Sequence, residues 1–290
     1  MAQKKNSITF SVAIQTRETP LMILKRCIQC VREQTLPDIE IILLDSNDED
    51  SPYKEAIRWE EGLLSDIIYL EIPEEGEFIN GKNAVLEAYH GDYLTFLSAQ
   101  DIMPPKRLEE ALSAFLNDRS INVLYTDISA QQTNILDQTD LQIDSKEFHY
   151  LPQLIFHRDC FDWIGSFDTA LVAHCDDDIW LRVNSLHLPH HLSSEDTKVV
   201  VCPECYHQYT PLNAAIGYRQ LLVKYTTLLQ KNIPEKKRLY QKAASAYQKA
   251  GVFHRYVQFQ TLALFTRKSN TRAQSPSASK LAFGSLRTRE

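Results

Sequence analysis

Strand-like and helix-like segments take turns from residue 8 to about 127, and this alternation restricts the chain to α/β architectures in which helices cross over between parallel strands. Ile8–Gln15 reads as the first strand, followed by a helix over Leu21–Arg32 that opens after Pro20. Ile39–Asp45 and Tyr53–Leu64 make the second pair, and Asp66–Ile72 with Asn80–Tyr89 the third. A fourth strand, Tyr93–Leu97, precedes a helix over Lys106–Leu116 that opens at Pro104-Pro105, since proline is tolerated in a first helical turn. Ile121–Ile128 is the fifth strand.

Beyond residue 128 the alternation loosens. A hairpin-like region rich in Gln and Asp leads to Gln153–His157, a helix near Asp176–Leu186 and a strand at Lys198–Cys202, so mixed strand pairing is expected there. From about residue 212 the pattern is helical, at Asn213–Gln230, Glu235–Ala250 and Val252–Thr266, with breaks at Pro234 and Gly251. The expected organisation is an α/β body over residues 1–210, a helical extension over 211–266 and a basic tail over 267–290 that lacks the apolar content of a packed segment.

The turn after the first strand, Gln15-Thr16-Arg17-Glu18-Thr19-Pro20, contains no glycine. A dinucleotide-binding dehydrogenase or a Walker-type nucleotidase needs glycines there so that backbone amides can approach phosphates, so both are excluded. A site on this sheet must be built from side chains at the carboxyl ends of the strands. Two Cys-x-x-Cys pairs, Cys27/Cys30 and Cys202/Cys205, stand much farther apart than the pairs of a four-thiolate zinc site. Cys27 and Cys30 share one face of a helix, where small buried side chains are the simpler reading.

A net charge of −7 argues against a nucleic-acid binder. The tail runs against that balance, with Arg267, Lys268, Arg272, Lys280, Arg287 and Arg289 facing only Glu290, a composition suited to peripheral contact with anionic lipid head groups. Apolar runs stop far short of the roughly 18 residues of a membrane span. Met1-Ala2-Gln3-Lys4-Lys5 leads into polar residues rather than a signal-peptide core, so a cytoplasmic, at most membrane-peripheral, location is expected.

Several segments, in order, resemble family 2 glycosyltransferases of the GT-A fold over about residues 7–210. Ser11-Val12-Ala13-Ile14-Gln15-Thr16 with Pro20 is similar to the strand and loop that cover the nucleotide, and Ile39–Ser46 to the second strand. Gly81-Lys82-Asn83-Ala84 and Ala88-Tyr89-His90-Gly91-Asp92-Tyr93 resemble the helix and turn leading into the metal strand. Ile164-Gly165-Ser166-Phe167-Asp168 and Asp176-Asp177-Asp178-Ile179-Trp180-Leu181-Arg182 resemble the acceptor-side turn and the acidic helix.

The resemblance implies inverting, non-processive transfer from a nucleotide-sugar donor to a glycan, lipid-linked or protein hydroxyl. Asp176 would be the base, and Thr16, Asp45, Lys82, Asn83 and Asp101 would contact the donor, with Asp177, Trp180, Gln100 and His207 as further candidates. From the residues alone, Asp176–Asp178 read first as acids that open a helix, opposing its dipole and capping free amides, and only the family context favours the base. The family's Asp-x-Asp cation motif falls on Ser98-Ala99-Gln100, so both carboxylates are gone and Asp101 is left as the metal candidate for Mn²⁺ or Mg²⁺. Three readings follow: a weak site of Asp101 with Asp45 or Asp92, replacement of the ion by Lys82 or His207, or a catalytically impaired binding or regulatory subunit.

Overall fold

The computed structural model describes residues 8–72, 78–130, 150–202 and 209–266. The Gln- and Asp-rich region, Cys205, His207 and the basic tail lie outside them. The first half follows the alternation closely: β1 (Phe10–Thr16), α1 (Leu21–Arg32), β2 (Ile39–Asp45), α2 (Pro52–Trp59), β3 (Ile67–Glu71), α3 (Phe78–Ala88), β4 (Tyr93–Ser98) and α4 (Arg107–Asn117). The expected fifth strand breaks at Asp127 into β5 (Val123–Thr126) and β6 (Ile128–Ala130), because the two halves join different sheets. Then follow β7 (Leu154–His157), α5 (Cys160–Ile164), α6 (Cys175–Ser185), β8 (Pro189–Leu192) and β9 (Val199–Val201).

The main sheet has the order β3-β2-β1-β4-β7-β5-β8. Strands β3, β2, β1 and β4 are parallel, β7 runs antiparallel to both β4 and β5, and β8 is parallel to β5. A smaller parallel pair, β6 and β9, sits beside it and is bridged to Ile102 through Val200. Strand alternation sorts the core onto the two sheet faces, as period-2 geometry requires. Val12, Ile14, Ile41 and Leu43 pack with Leu24, Ile28, Leu108 and Phe115 of α1 and α4. Ala13, Ile42 and Leu44 face the opposite way, with Val85 of α3 and Ile179 and Leu181 of α6.

One end of the sheet is fixed by a buried polar knot. Ser11 donates to Glu40 at 2.6 Å and accepts from the Gly91 amide at 2.9 Å, while Glu40 also takes the His90 amide at 3.0 Å. A Cβ on Gly91 would lie 2.6 Å from the Ser11 nitrogen and 2.8 Å from the Phe10 carbonyl carbon, so this turn can approach β1 only as glycine.

The helical extension comprises α7 (Pro211–Lys224), α8 (Thr226–Lys231), α9 (Ile233–Lys249) and α10 (Phe253–Phe265). The helix expected over Asn213–Gln230 is interrupted at Tyr225, whose hydroxyl donates to the buried Asp178 carboxylate at 2.6 Å. The extension is not merely appended: Leu221, Leu229 and Leu239 complete the core under α6. Ala243, Ala244 and Tyr247 of α9 pack on Phe259 of α10, forming the hairpin expected around Gly251, which has φ +73°. Among the described residues no helix is long and apolar enough to cross a membrane.

Candidate active site

The carboxyl ends of β1, β2 and β4 meet where the register places Thr16 beside Asp45 and Gln15 beside Ser98. The backbone stitches these ends together: Ser46 N–H donates to the Thr16 carbonyl at 3.0 Å and Ala99 N–H to the Gln15 carbonyl at 2.8 Å. Asn47 then shapes the loop over the β1 end. Its amide nitrogen and side chain both donate to Asp45 Oδ1, at 2.9 and 2.7 Å, and its Oδ1 accepts from Glu18 N–H at 2.6 Å. Glu18 is thereby held at φ 48°, a conformation disfavoured for a side-chain-bearing residue. Tyr69 donates to the other oxygen of Asp45, and burial followed by this hydrogen bond raises the Tyr69 pKa.

Around these tethers three buried polar atoms have no partner among the described residues: Gln15 Nε2, Thr16 Oγ1 and Ser46 Oγ. Leaving such groups unsatisfied costs about 1–3 kcal/mol each, which a hydrogen-bonding ligand at the strand ends would recover. Gln15 and Ser46 are additions to the sequence-based site, and Asn47 is another; none carries a spacing signal, because each is recognised only by what surrounds it.

The catalytic candidate comes from α6. Asp176 stands in the first turn of α6 and its Oδ1 receives Lys82 Nζ of α3 at 2.8 Å, across 94 residues. The Leu151 amide donates to its other oxygen at 3.2 Å. Lys82 also reaches the Cys175 sulfur at 3.2 Å. Its side chain is 6% exposed; burial pulls the ammonium pKa down, but the adjacent Asp176 and Cys175 outweigh that and raise it. Burial pushes the Cys175 thiol up to about 12. Tyr209 borders the same cluster, its phenol raised by burial and then by Cys175 and Asp176.

The other members of the acidic helix are structural anchors. Asp177 pairs with Arg238 of α9 at 2.9 Å, and the fully buried Asp178 binds Arg182, Lys224 at 2.7 Å and Tyr225. These contacts tie the extension to α6. Trp180, one helical turn after Asp176, meets Tyr125 edge-on at 5.5 Å. Asn83 pairs with both backbone groups of Phe167, at 3.0 and 2.8 Å, which seats the Gly165–Phe167 turn.

The segment expected to hold a cation is built differently. Asp101 is fully buried, with one oxygen accepting from Ser98 N–H at 2.7 Å and the other from Cys202 N–H at 3.3 Å. Gln100 accepts from the Cys202 thiol at 3.4 Å. Among the described residues no group of three His, Cys, Asp or Glu side chains could hold a metal. Neither Asp45 nor Asp101 faces outward as a cation ligand would, so this donor set does not fit a divalent ion, and Asp101 closes its own turn instead. Below it, Cys27 donates to the Ser98 carbonyl at 3.5 Å and Met103 N–H donates to Cys30 at 3.3 Å, placing the first Cys-x-x-Cys pair under both ends of the segment. Arg107, which the sequence did not single out, is completely buried beneath it and donates to Thr126 and to the Thr197 and Pro152 carbonyls.

Comparison with solved structures yields the same architecture. S. aureus TarS in complex with UDP aligns with a TM-score of 0.53 at 14% identity, covering 87% of this chain and 90% of that one. The mannosyltransferase PcManGT of Pyrobaculum calidifontis, solved with GDP-Man and Mn²⁺, aligns with a TM-score of 0.54 at 14% identity, covering 88% and 80%. At such identities the likeness shows the fold, which is GT-A-like. In sequence, an uncharacterized glycosyltransferase of Methanocaldococcus jannaschii is 28% identical over 185 residues, 59% of this chain and 63% of the relative. The O-antigen biosynthesis protein RfbC of Myxococcus xanthus is 31% identical over 104 residues, 36% of this chain and 8% of the relative. The chain thus spans less than two thirds of the length of these relatives. The sequence profile of Glycosyl transferase family 2 matches residues 11–171, more than half of the chain, and the protein belongs to that family.

Proposed function

We propose that this glycosyltransferase moves one sugar at a time from a nucleoside-diphosphate donor to a hydroxyl of a glycan, lipid-linked or protein acceptor, with inversion at the anomeric carbon. The observation that carries the reading is the buried Lys82–Asp176 pair at the head of α6. In the step, the acceptor O–H passes its proton to the Asp176 carboxylate while its oxygen bonds to the anomeric carbon. The bond from that carbon to the diphosphate oxygen breaks, and its electron pair leaves with the nucleoside diphosphate. Lys82 holds Asp176 in place and is the cation assigned to the departing diphosphate, since a fixed positive charge stabilises a leaving phosphate directly. The UDP-GlcNAc and GDP-Man complexes of the structural neighbours support a nucleotide-sugar donor.

A second reading, a binding or regulatory subunit that keeps the donor site without turnover, is favoured by the burial of Asp101 and the replacement of the usual acids by Ser98 and Gln100. Thermal shift with UDP, GDP and their sugars, with and without Mn²⁺, tests both, because a ligand that binds only the folded chain stabilises it. The first reading expects a nucleotide shift, donor turnover, and loss of turnover with retained shift in Asp176→Asn. A shift without turnover of any donor selects the second reading, and no shift with any nucleotide removes both. An active Asp176→Asn enzyme would remove Asp176 as the base.

A further inference from the structure

Charge in this chain is divided by domain. Residues 1–210 carry 16 Lys and Arg against 36 acids, a net of −20, whereas residues 211–290 carry 15 against two, a net of +13. Within the extension itself Glu235 is the lone acid beside nine basic residues. Two of those nine, Lys224 and Arg238, are spent on Asp168, Asp178 and Asp177 of the body. Arg219, Lys231, Lys237 and Lys249 are exposed.

The last described helix adds an apolar face to this basic unit. α10 seats Phe259 and Ala263 against α9, yet Phe253 and Leu264 are each 70% exposed and Phe265 is 74% exposed. Val257 is exposed as well, and at 100° per residue it falls within about 40° of Phe253 and Leu264 around the helix. The helix contains no acid, and Arg267 and Lys268 follow it directly in the sequence.

From this combination we infer that α10 and the basic chain around it dock the enzyme on an anionic lipid surface, with Phe253, Val257 and Leu264 entering the head-group boundary. Large exposed apolar side chains on one side of an acid-free helix, set within a basic unit, suit an interfacial position. Neither feature alone specifies the occupant, but together they discriminate. A phosphate polymer would pair with the lysines and leave the apolar side chains in water. A second copy meeting through the same face would bring +13 against +13. An anionic bilayer satisfies both, and each basic residue near its surface strengthens partition about fivefold. Docking of this kind sets where the protein works and is independent of the reaction assigned to Asp176.

The test is co-sedimentation of the full chain with vesicles of phosphatidylcholine alone or mixed with phosphatidylglycerol. Binding is expected to the mixed vesicles only and to weaken steeply in high salt. Phe253→Ser with Leu264→Ser should lower partition at least about tenfold, because both side chains lose transfer into the boundary. Their exposure means the fold should persist, checked by far-UV circular dichroism, and Lys237→Glu with Lys249→Glu supplies a second variant that leaves the apolar face intact. Failure to bind mixed vesicles at low salt overturns the inference. So does unchanged binding in both variants, or a dimer in light scattering that the Phe253 and Leu264 substitutions convert to monomer.

Discussion

Replacing Asp176 by Asn tests the Lys82–Asp176 pair through stability, without recourse to activity. The change keeps the shape and removes the carboxylate facing an ammonium whose side chain is 6% exposed. Removing one partner of a buried pair costs about 3–5 kcal/mol, and Asp176 is itself 18% exposed, so a loss of about 3 kcal/mol at pH 7 is expected. The pH dependence gives a sharper signature. In the native protein the Lys82 pKa is raised, so its contribution is complete below the unfolded lysine value of about 10.4 and is lost only as pH climbs through the higher folded value. Without Asp176, burial dominates and depresses the Lys82 pKa. The unfolded chain then binds more protons than the folded one, and stability rises with pH by up to about 1.4 kcal/mol per unit. Urea midpoints of both proteins between pH 7 and 10 should therefore converge as pH increases. Parallel curves separated by less than about 1 kcal/mol would refute the buried-pair reasoning.

Two further predictions address other parts of the site. Thr16→Val should raise stability by up to about 1 kcal/mol while weakening nucleotide binding, since it deletes a buried hydroxyl with no partner among the described residues; chemical denaturation and nucleotide titration read the two effects, and lost stability would show that the hydroxyl is satisfied within the fold. Gly91→Ala should cost about 3 kcal/mol, because the atoms its Cβ meets at 2.6 and 2.8 Å are backbone of β1 and cannot rotate away; a midpoint within experimental error of the parent would contradict that close approach.

The first four strands and their helices were legible because both faces of a central parallel sheet bury apolar side chains, which leaves long, unambiguous runs between polar turns. The strand at Pro189–Leu192 was not, since its His190 and His191 are exposed at the sheet edge and it carries no apolar run. The break at Asp127 was equally silent: Ile121–Ile128 is a continuous strand pattern, and only pairing with two different sheets divides it. Within the site, Lys82 and Asp176 were visible through the family motifs. Asn83 and Asp177 were visible too, but their polar atoms turn to Phe167 and Arg238.

Sequence by itself determined the α/β body, the family, the absence of a glycine-rich phosphate loop and the loss of two acids at Ser98 and Gln100. These are properties of residue order and of the period with which side chains alternate. Tertiary structure decided the use of each polar group: that Asp101 locks its turn, that Lys82 meets Asp176 across 94 residues, and that Asp177 and Asp178 secure a helical extension. A carboxylate has the same formula at a metal, a base site or a buried anchor. Its role is set by which donors the folded backbone brings within about 3 Å, a distance relation that linear order does not contain.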